Sequence, residues 1–230
     1  MALTYVTLQA FLSAPALSQA PALPPESSST TESAKAVQLY GPYLRPTHEI
    51  KVRNYLFDAF GPYPVAGSAL VGAVNQASKT PPEWEQGVSG YSMRVASNYG
   101  IAMVATTTRY GLSELFKDDS MYYRCNCKGL VPRVRHALLA TLTARRGEDG
   151  HRVFSVPALV GPYAGTMAAT YGWYPRRYGA KDAFRKGNYS LLIFAGENIS
   201  LEFFYHGPHS LLSRMHLNNA HGSPTEGPNK

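Results

Sequence analysis

Two carboxylates stand in apolar surroundings toward the end of this 230-residue chain: Glu197, followed by Asn198, and Glu202, followed by Phe203-Phe204-Tyr205. Burial there would raise their pKa and suit them to general acid or base work; solvation or pairing with arginine would leave them structural. They are the catalytic candidates for an envelope hydrolase. Cysteine occurs only as Cys125-Asn126-Cys127. A bridge across one residue closes a strained ring, and zinc patterns place two residues between paired cysteines and repeat the pair elsewhere. The expectation is a loop with two thiols, no metal site and no cofactor. Four of the seven histidines (His206, His209, His216, His221) crowd the final quarter and read as exposed tail residues. Gly87-Val88-Ser89-Gly90 misses a nucleophile elbow by one residue, and phosphate-cradling, zinc-helix and calcium-loop motifs do not occur.

The net charge of +7 is concentrated. Between Arg124 and Lys186, twelve Lys or Arg face three acids. Arg145, Arg146 and Arg152 precede an uncharged run at 153–175, and Arg176 and Arg177 follow it, with Trp173 and Tyr174 at its end. Cations and aromatics that flank an apolar segment suit a lipid headgroup boundary, so these seven residues are the ligand-binding candidates. The expected partner is an anionic membrane surface or envelope polymer. Nucleic acid is the last alternative, because no binding motif accompanies the cations.

The elements that must position these groups are mostly helical. Thr47 caps a helix at 48–60 that places Val52, Leu56, Ala59 and Phe60 on one face before Gly61-Pro62. Uncharged 65–78, a long stretch at 87–117, an amphipathic helix at 131–146 and a last element at 181–205 follow, with a turn at Gly147-Glu148-Asp149-Gly150 and an extended piece at 152–156. Three segments carry small residues every fourth position: Ala69, Ala73, Ala77; Ser92, Ala96, Gly100; and Gly161, Gly165, Ala169. Residues four apart share a helical face, so each stripe predicts a groove where another backbone approaches closely. The fold class is mainly α: a compact bundle of about five or six helices held by small-residue contacts. A slightly negative mean hydropathy argues against a polytopic transporter, and 153–175 is long enough but too weakly hydrophobic to span a membrane alone.

At the N-terminus an apolar run ends in Ser18-Gln19-Ala20, a pattern a signal peptidase accepts, although no Lys or Arg precedes Lys35. The domain reading is a signal peptide at 1–20, a disordered Pro/Ser/Thr-rich spacer at 21–46, a helical domain at 47–217 and a disordered tail at 218–230. Several landmarks resemble an uncharacterised family of exported bacterial proteins, mainly acidobacterial. They are Asn54-Tyr55-Leu56-Phe57-Asp58-Ala59-Phe60-Gly61-Pro62, Asn75-Gln76-Ala77-Ser78-Lys79-Thr80-Pro81-Pro82-Glu83-Trp84, Gln86-Gly87-Val88-Ser89-Gly90-Tyr91-Ser92-Met93-Arg94, Met121-Tyr122-Tyr123-Arg124 and Tyr171-Gly172-Trp173-Tyr174-Pro175. The chain departs from that family at Asp119-Ser120-Met121 and in its paired cysteines. The resemblance implies an exported protein, periplasmic or outer-envelope associated, and supplies no activity. The expected function is therefore a non-catalytic envelope-associated protein. The alternatives are the hydrolase and a basic nucleic-acid binder.

Overall fold

The computed structural model describes residues 43–203; the expected leader, most of the spacer, the end of the expected helical domain, the tail and the four C-terminal histidines lie outside them. Thr47 caps α1 (His48–Phe60) by accepting from the Ile50 amide, and Gly61-Pro62 turns the chain into α2 (Pro62–Ala77). After a proline-rich connection, α3 (Gly87–Phe116) runs for 30 residues, roughly 45 Å, and stops at Lys117 in the left-handed conformation. A two-residue strand β1 (Asp118–Asp119) leads to an irregular loop, then α4 (Leu130–Ala140), β2 (Thr143–Arg146), β3 (His151–Phe154), α5 (Val156–Gly172) and α6 (Ala180–Phe203). The molecule is mainly helical, as expected.

The three strands form an antiparallel sheet in the order β1-β2-β3, with Asp118 opposite Arg146, Asp119 opposite Arg145 and Thr143 opposite Phe154. The amphipathic segment expected as one helix to Arg146 therefore ends six residues early. Thr141 and Thr143 return their hydroxyls to the carbonyls of Ala137 and Leu139, and the Gly147 to Gly150 turn, with positive φ at both glycines, closes a hairpin that takes the rest as strand. A side chain at Gly150 would also strike the Tyr43 ring.

The bundle is held by close backbone approach. Its most extensive contact joins α3 to α5; α3 also packs on α2 and α1, and α6 packs on α5 and α4. Gly161, Gly165 and Ala169 are buried in a groove against α3: a methyl at Gly161 would stand 2.8 Å from the Ala105 carbonyl oxygen, and one at Gly165 would meet that of Ile101. The other two stripes are corrected by the structure. Ala73, Ala77, Ser92 and Ala96 are exposed. On α2 the buried pair is Ser68 and Gly72, one position away from the alanine row, with Gly72 against Val95 and the Tyr91 hydroxyl donating to the Ala69 carbonyl. One position is about 100° of helix rotation, enough to move a row from contact to solvent. The buried apolar side chains among the described residues, prolines aside, are six alanines (Ala59, Ala137, Ala144, Ala158, Ala169, Ala183) with Trp84 and Tyr110.

Larger apolar residues stand outside. Val52, Leu56 and Phe60 on α1, expected as its packing face, are 42%, 50% and 51% exposed, while Asn54 and Ala59 are buried. The largest fully buried side chain is Arg94 of α3. It donates to the carbonyls of Thr80, Pro81 and Glu85 and to Gln76 Oε1, at 2.7–2.9 Å, and so ties the α2–α3 connection to the helix that follows. Gly90 leaves room for this arrangement, since a methyl there would collide with the Glu85 and Trp84 carbonyls.

Candidate functional site

The polar groups gather where the hairpin, the 120–129 loop, α4 and the end of α6 meet. Asp118 and Asp119 are buried on β1. Arg146, opposite Asp118 in the sheet, donates to its carboxylate at 2.7 Å. Asp119 accepts from the hydroxyls of Tyr43 (3.0 Å) and Tyr123 and from the Met121 amide. Burial pushes the Asp119 carboxyl above its usual range, against the pull of those three donors, and burial likewise raises the Tyr43 and Tyr123 phenols, helped by the Asp119 charge. Arg145 lies over the rings of both tyrosines, 5.3 and 4.9 Å from their centroids.

Glu202 is fully buried at the end of α6. Its Oε1 accepts from Arg133 Nε at 2.8 Å, and its Oε2 accepts from the Tyr122 hydroxyl and the Cys125 amide at 2.8 and 3.0 Å. Arg133 and Arg124 also reach the Glu202 carbonyl. Both carboxylate oxygens are thus engaged in anchoring the 120–129 loop and α4 to α6, an arrangement that suits a strut rather than a proton shuttle. Glu197, the other candidate, belongs elsewhere, near Asp58 of α1 and Arg109 of α3. Its side chain is exposed to solvent, yet the protein packed around the carboxyl still raises it, the Asp58 charge adds to that, and Arg109 opposes it. Asp58 accepts from the Tyr110 hydroxyl at 2.7 Å and faces Arg109 at 3.5 Å.

The seven candidate binding residues fall into two groups at opposite ends of α5, which at 17 residues separates them by roughly 25 Å. Arg145, Arg146 and Arg152 are on the hairpin before it. Trp173, Tyr174, Arg176 and Arg177 follow it and largely serve packing. Trp173 Nε1 donates to Ser97 Oγ at 2.8 Å, Tyr174 stacks obliquely on buried Trp84, and Arg177 pairs with Glu83; Arg176 is exposed. Lys186 sits 3.3 Å over the Tyr174 ring, and partial burial pushes its amine down to about 8.

Three features escaped sequence reasoning: the burial of the Asp118-Asp119 pair, the position of His136, and the orientation of α4. His136 is buried, with Nε2 donating to the Tyr123 carbonyl at 2.7 Å and Arg152 donating to Nδ1 at 3.1 Å. Cys125 and Cys127, expected as two thiols, are joined as a disulfide; the loop bends at Asn126, bringing their Cα atoms to 5.2 Å, within ordinary bridging distance. On α4 the inner face is Arg133, His136 and Ala137, because Glu202 and the Tyr123 carbonyl draw the polar residues inward. Its apolar residues point out: Leu130 and Val131 are 67% and 76% exposed, and Leu138 and Leu139 are about half exposed. With Val134 and Arg135 they line a shallow depression of about 440 Å³. An adjoining one of about 310 Å³ has Arg135, His136 and Arg152 in its wall. No helix among the described residues is long and apolar enough to cross a membrane. In comparisons with known proteins, the chain matched no protein-family model, no curated protein and no solved structure.

Proposed function

We propose that this protein is a non-catalytic envelope component that docks on an anionic lipid surface, with the outer face of α4 as the contact. The observation that carries the reading is the pairing of that apolar face with Arg135 and Arg152 beside it. An amphipathic helix with cations beside its apolar face lies in the headgroup boundary, gaining from apolar burial and from attraction to anionic lipid. Export behind a leader at 1–20 would deliver the chain to such a surface, and the resemblance to exported acidobacterial proteins supports the same reading. Relative to the first expectation, the contact moves from the 153–175 run to α4, and of the seven candidates Arg152 stays in it.

Vesicle sedimentation tests this directly. The full chain should pellet with phosphatidylcholine vesicles containing phosphatidylglycerol and stay in solution with pure phosphatidylcholine. R135E should weaken retention about five-fold or more, at about 1 kcal/mol per basic residue near the surface, and L138D should weaken it with the fold intact, since Leu138 is half exposed. Equal retention by both vesicle types, or an unaffected L138D, would refute the assignment.

A further inference from the structure

The cysteine loop and His136 together form a site that the docking reading does not use. A ligand atom from each of Cys125, Cys127 and His136 lies within 4.8 Å of the others. Around a tetrahedral ion at thiolate and imidazole distances, such donors stand roughly 3.5 to 4 Å apart, so once the S–S bond is reduced, parting of the two sulfurs and a small shift of the loop bring the three donors to bonding positions. We propose that the reduced chain binds one thiophilic metal ion, of the zinc or cuprous class, through Cys125 Sγ, Cys127 Sγ and a ring nitrogen of His136, and that the disulfide is the closed form of the same site.

Three independent features support the assignment. The donor set, two sulfurs and an imidazole, is one that soft and borderline ions select. His136 is held in place beside the sulfurs, because its ring meets the Tyr123 carbonyl on one side and the Arg152 guanidinium on the other, as metal-binding imidazoles are held by neighbouring polar groups. The loop carrying the sulfurs is anchored from beneath, because the Cys125 amide donates to the buried Glu202 carboxylate, itself fixed by Arg133 and Tyr122. Arg152 lies against both ring nitrogens in the closed form, at 3.1 and 3.3 Å, and belongs to the exposed hairpin edge, so it must move aside when an ion enters.

A dithiol or phosphine reductant supplies two electrons, the S–S bond breaks, and two protons give two thiols; metal binding then releases those protons as both sulfurs become thiolates. A disulfide is a far weaker ligand than two thiolates, so an added disulfide oxidant, itself reduced to two thiols as the Cys125–Cys127 bond re-forms, releases the metal.

Titration of the full chain with Co²⁺ alone, before and after treatment with a phosphine reductant, reads this out. The reduced chain should take up one equivalent and develop the intense thiolate-to-cobalt charge-transfer absorption, which Zn²⁺ then displaces; the oxidised chain should develop none. C127S should abolish the band, and H136N should weaken binding at least ten-fold. Because His136 is buried, R152A is the companion variant, expected to bind Co²⁺ a few-fold more tightly with the three donors untouched. A reduced, folded chain without the band, or one whose Co²⁺ uptake survives C127S, would overturn the proposal.

Discussion

Asp58 is a half-buried acid with two polar partners. Burial raises its carboxyl, while Arg109 and the Tyr110 hydroxyl pull it down; the net direction is upward, although solvent still reaches 38% of the side chain. An acid whose folded pKa lies above its unfolded value holds its proton longer in the folded state, so it favours folding below the unfolded pKa and loses that contribution as pH rises through the folded value. Glu197 shifts in the same direction and for the same first reason. D58N removes one titration and the charge that adds to the Glu197 shift. Its stability relative to the unmodified chain should therefore improve as pH climbs from about 4 through the acidic window, as measured by denaturant unfolding at a series of pH values. A difference that stays constant with pH would show that Asp58 titrates as it does in the unfolded chain. Arg94 is the opposite case, a cation satisfied entirely by neutral oxygens. The residues that carry its cradle, Gln76, Thr80, Pro81 and Gly90, lie within the stretches that stood out in the sequence, and their task is to close the α2–α3 connection.

At the level of elements, α5 is the keystone, contacting both α3 and α6 through glycines. At Gly165 the neighbouring α3 backbone occupies the space a larger residue would need. G165L should cost about 3 kcal/mol or more, lowering the melting temperature by roughly 6 to 12 °C by calorimetry. A73L is the matched control. Ala73 belongs to a stripe that looked equivalent in sequence but faces solvent, so this change should stay within about 0.5 kcal/mol. Similar losses for both would mean that the rotation of α2 described above is wrong. The hairpin makes a related point. Arg145 and Arg146 read as the end of a helix, yet the glycines at both ends of the 147–150 turn, together with the acids on β1, settle them in a sheet.

For the molecule as a whole, the distribution of polarity is the unusual feature. Arg94, Asp118 and Glu202 are buried, while Leu70, Val74, Val88 and Leu192 are 71%, 68%, 83% and 66% exposed. On the proposed reading, part of this exposed apolar surface meets lipid. The folded chain should therefore bind an environment-sensitive apolar dye at neutral pH while its near-ultraviolet circular dichroism stays native, and anionic vesicles should displace the dye. Dye binding only after that tertiary signal is lost would place the apolar surface in an unfolded population instead.

The sequence by itself determined the local structure: helix starts at Thr47, Gly87 and around Pro132, the breaks at Gly61-Pro62 and Gly147 to Gly150, and the close-packing stripe on α5. These are set by backbone preference, capping and periodicity, which act within a few residues. Tertiary structure alone decided which side of each helix faces inward. Composition names a stripe but not its direction, and here the demands of buried Glu202, His136 and Arg94 for partners turned polar and small residues to the interior and left leucines outside. The same demands placed His136 beside two cysteines that are nine and eleven positions away, a relation that no spacing rule contains because it depends on how the 120–129 loop folds back over α4.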